Sequence, residues 1–551
     1  MRLSIQAIKK RVPAFAAVAA AFVGLVNIAS TLTPTIRWRG HLLLEFEPVE
    51  AIRLFHALAL PAGAALLLVA PYLAKRRRRA LQTAVALMIT LGLFDLLKGL
   101  DFEESILTWG VAAVLILSRD AFTVRHDPNT LRSALWRVPV LAVIGLAVAM
   151  VAVWTGTHAS FSTVTTETLD LLRYQPGPLH FHHHIPIGVH ALEVGTLLMI
   201  AYVIFRPLTV PRAPASPAAR QVAADLVRAH GADTLAFFKL RGDGNYIFSE
   251  DGRAFVAYAI ENGVLLLSGD PVGSPDALPG LLHQVREFAD ARGLKLGALG
   301  ASERLCPLYE ELGLHSIYLG DEAVVELDRF SLEGRPIRKV RQSVTRLSKA
   351  GYEAELHDLR ALDQDTIERV EEVVELGRQG APERGFSMAM DSLQGQHDHE
   401  TLVVLARDET GAIRGVLHFV PCYGRAAVSL SFMRRDPDTP NGLTEFLVVR
   451  AIELLRERGI DELSLNFAAF AKWMHSPEKR LERVLGKLIA LGNPFFQIES
   501  LYRFNAKFFP RWEPRFLVYE GTFGLPRAGI AAMWAEGQLP KPRIRRAPAP
   551  R

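Results

Sequence analysis

Between Ser431 and Phe446 the chain reads Ser-Phe-Met-Arg-Arg-Asp-Pro-Asp-Thr-Pro-Asn-Gly-Leu-Thr-Glu-Phe. Arg434 and Arg435 stand beside Asp436 and Asp438, and Asn441-Gly442 precedes an apolar helical repeat with Glu445 in its first turn. Thr439 or Asn441 can cap that helix, and free amides at a helix start beside two guanidinium groups make an anion site. A neighbouring carboxylate can take a proton from a hydroxyl if the site raises its pKa. The same residues also read as a capped surface turn with solvated arginines, and the motif alone leaves both readings open.

Two other stretches invite chemistry. Gly269-Asp270-Pro-Val-Gly-Ser274 follows an apolar run and precedes a helix. It reads as a second backbone anion cradle or as a turn with a helix cap, and it lacks the G-x-x-x-x-G-K-[ST] pattern of a nucleotide P-loop. Residues 500–516, SLYRFNAKFFPRWEPRF, interleave cations with aromatics. On a helix Arg503 and Lys507 share a face, while Phe504 and Phe508 point elsewhere. With Trp512 and Arg515 nearby, that face suits a single-stranded nucleic-acid end or a phospholipid headgroup; the plain alternative is an amphipathic helix with core aromatics. No metal is expected. His180, His182, His183 and His184 lack Cys or acidic partners, and read as a pH-sensitive or lipid-facing loop. The two cysteines, Cys306 and Cys422, have no CxxC spacing, which argues against zinc and a disulfide framework and fits a reducing compartment.

These motifs need elements to hold them. After a Pro-rich linker at 207–217, strand and helix patterns alternate. A first block, 218–332, has strand-like pieces at 234–240, 246–248, 254–260 and 264–267, helix 277–292, strand 295–299, helix 302–312 and strand 316–319. A second, 333–540, has helix 336–350, strand 352–356, helix 364–376, strands 401–407, 413–421 and 426–433, helix 443–457 and strand 462–466. The crossover from 426 to 466 is the firmest βαβ unit, and the blocks read as two similar mixed α/β lobes. Ligands in such units bind beyond the carboxyl ends of strands, where Arg434 to Gly442 fall. A basic disordered tail is expected at 541–551.

Residues 1–206 have a different texture. Half of all residues are hydrophobic, and that average conceals an N-terminal part dominated by Ala, Val, Leu and Ile. About six spans are expected, at 12–32, 51–74, 81–97, 106–118, 138–154 and 186–205, the third and fourth forming a hairpin around the acidic turn 101–104. A signal peptide fits less well, since no small-residue cleavage site follows the first span. Cations concentrate before the first span, after the second (Lys75, Arg76 to Arg79), after the fourth (Arg119, Arg125, Arg132, Arg137) and after the sixth. Both termini are therefore expected in the cytoplasm. Asp95, His190 and Glu193 fall inside spans and are functional candidates by their cost there; the plain reading of Asp95 is snorkelling to the interface. The net charge of +5 is compatible with anionic lipid or nucleic acid and proves neither.

Arg503-Phe-Asn-Ala-Lys-Phe508 followed by Pro510-x-Trp512-x-Pro514-Arg515-Phe516, with Met433-Arg434 through Gly442 and the strand Leu463-Ser-Leu-Asn466-Phe-Ala468, resembles the aminoacyl-phosphatidylglycerol synthases, the multiple peptide resistance factor family. The Asn-Phe-Ala form is similar to actinobacterial members. The resemblance covers most of 218–527. It implies two acetyltransferase-like lobes, an aminoacyl group moved from aminoacyl-tRNA to phosphatidylglycerol in the cytoplasmic leaflet of the plasma membrane, and no cofactor; a homodimer stays open. With the residues read above, Asp436, Asp438, Glu445, Arg434 and Lys507 are the candidates for the chemistry, the roles of the three carboxylates staying open, and Arg435, Asn441, Gly442, Asn466, Arg503, Phe504, Trp512, Arg515, Gly269 and Asp270 are the candidates for substrate binding. About six spans cannot contain the flippase helices of longer members, and no tRNA-synthetase module is read after Arg527. Lysine is the family's commonest donor, with alanine, arginine and ornithine as alternatives. Two other classes fit less well. A membrane-anchored acetyltransferase would carry a [QR]-x-x-G-x-[GA] loop, which 434–442 does not fit. A transporter with a regulatory domain is disfavoured by tight loops and few intramembrane charges.

Overall fold

The computed structural model describes residues 2–32, 49–99, 101–124, 128–157, 159–172, 189, 193, 195–201, 204–205, 215–379, 385–390, 393, 400–469, 501–521 and 524–539. The chain divides into two units, residues 1–211 with 290–293, and residues 212–289 with 294–551.

The first unit is helical: α1 (Arg2–Leu32), α2 (Val49–Ala74), α3 (Arg78–Gly99), α4 (Phe102–Leu117), α5 (Pro128–Thr157) and α6 (Phe161–Leu172). Three segments among the described residues, Arg11–Ser30, Arg78–Leu97 and Val138–Thr155, are long and apolar enough to cross a membrane, and Ala62–Ala74 is a shorter apolar stretch. The expected fourth span is α4, whose 16 residues extend only about 24 Å, short of a hydrocarbon core of about 30 Å. The expected hairpin of α3 and α4 is present. Ser105 Oγ donates to the Gly92 carbonyl at 2.9 Å and Trp109 Nε1 to that of Ile89 at 3.2 Å. A Cβ on Gly92 would sit 2.3 Å from Trp109 Nε1, so glycine is what lets the helices meet. Asp95 does not snorkel: its side chain is fully buried. Residues 180–184, His190, 207–214 and the tail at 541–551 lie outside the described residues.

The second unit is built on one mixed sheet. Its elements are α7 (Pro217–His230), β1 (Asn245–Phe248), β2 (Ala254–Glu261), β3 (Val264–Ser268), β4 (Val272–Gly273), α8 (Leu278–Arg292), β5 (Lys295–Ser302), α9 (Cys306–Glu311), β6 (Leu314–Glu326), α10 (Arg338–Lys349), β7 (Glu353–Asp358), α11 (Gln364–Arg378), β8 (Leu402–Arg407), β9 (Ile413–Cys422), β10 (Ala427–Arg435), α12 (Leu443–Glu457), β11 (Glu462–Ala469), β12 (Arg511–Glu520) and α13 (Leu525–Ala535). The strand order is β1-β2-β3-β5-β12-β6-β11-β10-β9-β8-β7, with β4 against β2. Each half holds an antiparallel meander followed by a parallel crossover: β3-α8-β5 in the first, β10-α12-β11 in the second. In the second half, Val340, Val344 and Leu347 of α10 and Phe446, Leu447 and Ile452 of α12 bury against Val404, Leu417 and Val428. Val370 and Val373 of α11 join Val403, Leu405 and Val416, the alternate residues of the same strands. Helices therefore cover both faces.

Two expected elements differ. Residues 234–240 are not a strand: Phe237–Leu240 is a 3₁₀ turn whose four residues are all buried, three of them apolar. Residues 500–516 are not one helix. The helix ends at 505, a 3₁₀ turn follows at Ala506–Phe508, and β12 begins at Arg511. β12 inserts between β5 and β6, so a strand from the second sequence block completes the first lobe. Pro514 is tolerated because pairing with β5 begins only at Arg515.

Candidate active site

β10 and β11 pair in parallel only from Ala427/Glu462 to Ser429/Ser464. Beyond that point β10 bulges between Leu430 and Phe432 against β9, and β11 bulges between Ser464 and Phe467 against β6. Bulges turn strands out of register and re-aim their side chains. Asn466 adopts a left-handed φ of 68°, which Asn accepts more readily than most residues. Its Nδ2 donates to the Leu430 carbonyl at 3.1 Å and to the Met388 carbonyl at 2.5 Å, tying the two strands and the 385–390 segment together. The carboxyl ends of the strands thus part around a cavity of about 550 Å³.

Three glutamates line this cavity. Glu371, Val374, Glu375 and Arg378 occupy i, i+3, i+4 and i+7 of α11 and form one stripe facing it. Glu375 and Arg378 pair at 3.3 Å. Glu536 closes α13 and is buried; its carboxylate accepts from Phe386 N at 3.1 Å, Ser387 N at 3.1 Å and Ser387 Oγ at 2.7 Å. Burial pushes its pKa above the ordinary glutamate value in spite of those donors. None of these glutamates was singled out in the sequence. The α11 stripe was available as a spacing. Glu536 had a weaker signal, a carboxylate at a helix C-terminus where the dipole disfavours it.

A second cleft of about 370 Å³ lies at the end of β10, lined by Arg434, Arg435, Pro437 and Thr444 among others. Met433 and Arg434 line both clefts. The loop beside the second cleft is braced internally. Arg435 donates to Thr439 Oγ1 at 2.8 Å, and Asp436 accepts from Arg414 at 2.7 Å and from the Asp438 amide at 2.9 Å. Neither Thr439 nor Asn441 caps α12. The cap is Gly442 at φ 91°, and a Cβ there would lie 2.6 Å from Ser343 Oγ. Thr439 is drawn away because its hydroxyl donates to the Asp436 carbonyl at 2.6 Å.

The remaining sequence candidates fall in two groups. Lys507 pairs with Glu445 at 2.7 Å and lies over the Phe504 ring at 5.1 Å. Phe508 is buried and Phe504 packs on the same core, as the helical reading of that segment required; Arg503 is exposed. Trp512 stacks on Tyr502 with centroids 4.6 Å apart. The second group lies in the first lobe. Arg515 is buried, donating to Asp233 at 2.7 Å and to Glu322. Burial alone would raise the Asp233 carboxyl, yet the charge and hydrogen bonds of Arg515 hold it below its usual range. Asp270 accepts from Ser302 N at 2.9 Å and Ser302 Oγ at 2.5 Å, and burial raises its pKa. The Gly269 amide donates to the Leu299 carbonyl at 2.8 Å. Buried Lys239, passed over in the sequence, lies against this turn; burial lowers its ammonium to about 8.

Residues 224–519 match the family model described as phosphatidylglycerol lysyltransferase, C-terminal. The lysylphosphatidylglycerol biosynthesis bifunctional protein LysX of Gordonia bronchialis is 32% identical over 475 residues, 81% of this chain and 41% of that protein. The protein of the same name from Mycobacterium marinum is 30% identical over 561 residues, 97% of this chain and 50% of its own. The chain thus spans about half the length of these relatives. Among solved structures, L-PGS from Bacillus licheniformis matches with a TM-score of 0.53 and 21% identity over 60% of this chain and 99% of that one, a likeness of fold. The C-terminal domain of a proposed lysylphosphatidylglycerol synthetase from Agrobacterium fabrum matches with a TM-score of 0.51 and 26% identity over 59% of this chain and 99% of its own. With more than half its length matched by the family model, the chain belongs to the phosphatidylglycerol lysyltransferase family.

Proposed function

We propose that this chain moves a lysyl group from aminoacyl-tRNA to a glycerol hydroxyl of phosphatidylglycerol, making the lipid cationic and the cell more resistant to cationic antimicrobial peptides. The observation that carries this reading is the pair of adjoining clefts that share Arg434, one lined by arginines and one by carboxylates. The arginine-lined cleft, beside the N-terminus of α12, suits the phosphates of a tRNA 3′ end. The carboxylate-lined cavity suits an aminoacyl group with two ammonium charges, and Glu371 and Glu375 offset them.

In the reaction the glycerol hydroxyl attacks the ester carbonyl carbon as its proton passes to the Glu536 carboxylate. The new ester C–O bond forms, the bond to the tRNA ribose oxygen breaks, and that oxygen takes the proton. A base with a raised pKa is the better proton acceptor near neutrality. Arg434 steadies the oxyanion of the tetrahedral state. Asp436 and Glu445, ion-paired to Arg414 and Lys507, brace the phosphate side. The names of the relatives support lysine as the donor.

The test is to incubate the chain with lysyl-tRNA and phosphatidylglycerol vesicles and analyse the lipid by mass spectrometry. Lysyl-phosphatidylglycerol is the expected product; unmodified lipid contradicts the reading. The cation pattern of the loops supports cytoplasmic termini, so an impermeant thiol reagent should label a cysteine at Gln175 from outside and spare one at Ser216. The reverse labelling would leave the enzyme on the wrong side of the membrane for tRNA.

A further inference from the structure

We propose, resting on the transferase reading above, that the exposed face of α10 docks the phosphate backbone of the tRNA acceptor arm. The helix reads Arg-Lys-Val-Arg-Gln-Ser-Val-Thr-Arg-Leu-Ser-Lys and contains no Asp or Glu. Val340, Val344 and Leu347 are buried in the core of the second lobe. That leaves Arg338, Lys339, Gln342, Thr345, Arg346 and Lys349 exposed along about 18 Å of helix.

Dipole compensation accounts for Arg346 and Lys349 in the last turn but not for the cations at the other end. The first turn carries no acid, Ile337 at the N-cap makes no side-chain cap, and Arg338 and Lys339 oppose the helix dipole. Cations kept at the N-terminal end against the dipole, continuous with Arg346 and Lys349 at the other end, point to an external polyanion.

The face is also connected to the active site. Arg346 donates to the Asn441 carbonyl, at the entry to α12, and Arg450 of α12 donates to Ser348 Oγ at 3.1 Å. The same entry leads through Thr444 into the cleft with Arg434 and Arg435. A cationic stripe therefore leads from α10 to the cleft where the 3′ end is read to sit.

The chemistry favours RNA over a bilayer surface. A helix lying in the lipid interface turns its apolar face into the acyl boundary, and the apolar face of α10 is already buried in protein. The exposed mixture of Arg and Lys with Gln and Thr is the set that contacts phosphate and sugar.

The experiment compares the full chain in detergent with an Arg338→Glu/Lys339→Glu/Lys349→Glu variant. The probes are unacylated lysine tRNA across a salt series, phosphatidylglycerol vesicles by sedimentation, and transfer kinetics. We expect tRNA affinity to fall at least tenfold, the slope of log affinity against log salt to shrink by about 2–3, and the KM for aminoacyl-tRNA to rise, with vesicle binding unchanged. The exchange Arg338→Lys/Lys349→Arg should restore tRNA binding. Unchanged tRNA binding by the charge-reversed variant overturns the proposal, as does a loss confined to vesicle binding. If the wild type binds tRNA through this face yet makes no aminoacyl lipid, the transferase reading fails while the docking surface stands.

Discussion

The two crossovers of the sheet have the same topology and opposite interiors. In the first lobe β3 and β5 stay paired along the whole of β3, from Val264/Lys295 to Ser268/Leu299. The turn that follows is closed by Asp270 on Ser302 and by the buried set of Asp233, Glu322 and Arg515. In the second lobe β10 and β11 part after three paired residues, and the space between them becomes a cavity. A parallel pair that stays zipped has room for structure only; one that opens at its carboxyl ends has room for a substrate. Gly269-Asp270 and Arg434 to Gly442 looked like two anion sites in the sequence because they hold the same topological position. The charges of the first are enclosed and satisfy one another, while those of the second border a cleft.

The largest effect is expected of Arg515→Ala. It leaves Asp233 and Glu322 buried without their guanidinium and should cost about 3–5 kcal/mol of stability, read by chemical unfolding. A loss of transfer with full stability would return Arg515 to substrate binding. Next comes Glu536→Gln. Removing a general base typically costs 10²- to 10⁴-fold in rate, and the buried amide nitrogen, set against the Phe386 or Ser387 N–H, should cost about 1–3 kcal/mol of stability. The pH dependence in the unaltered chain follows from the raised pKa: stability from this group is present below the free glutamate value and lost as pH rises through the folded one, whereas the rate rises over that same interval. In the variant both dependences should disappear from the pH profiles. Arg434→Ala should lower kcat/KM about ten- to a hundredfold, the size of a lost charge-assisted hydrogen bond of about 1.5–3 kcal/mol. The smallest effect belongs to Lys507→Ala. Its half-exposed pair with Glu445 should contribute at most about 1 kcal/mol to stability, and a much larger fall measured by thermal unfolding would show that this pair holds the start of α12.

Much of this frame was legible in the sequence, for physical reasons. Helix 443–457 and the flanking strands were readable because apolar residues recur at helical spacing in the helix, while the strands, covered on both faces, are short continuous apolar runs. Residues 511–520 were not, since Pro514 and three nearby charges argue against a central strand, and only the register shows that its β5 partner starts beyond the proline. The phenylalanines at 237 and 238 mimicked a strand because burial, not pairing, selects them. Of the site, Arg434 and Asn466 were found by motif, but the cavity glutamates come from α11 and from the end of α13, far apart in the chain. Local spacing carries no record of which distant carboxylates a bulged strand pair will expose.

The most direct test sets the two lobes against each other in a single-turnover transfer assay with lysyl-tRNA and phosphatidylglycerol. Glu536→Gln alters the open crossover, and Asp270→Asn gives the closed one a neutral isostere of a carboxyl whose pKa burial already raises. Transfer should be at least a hundredfold slower for Glu536→Gln and near the wild-type rate for Asp270→Asn. Full activity in Glu536→Gln with loss in Asp270→Asn would contradict this expectation and move the chemistry to the first lobe.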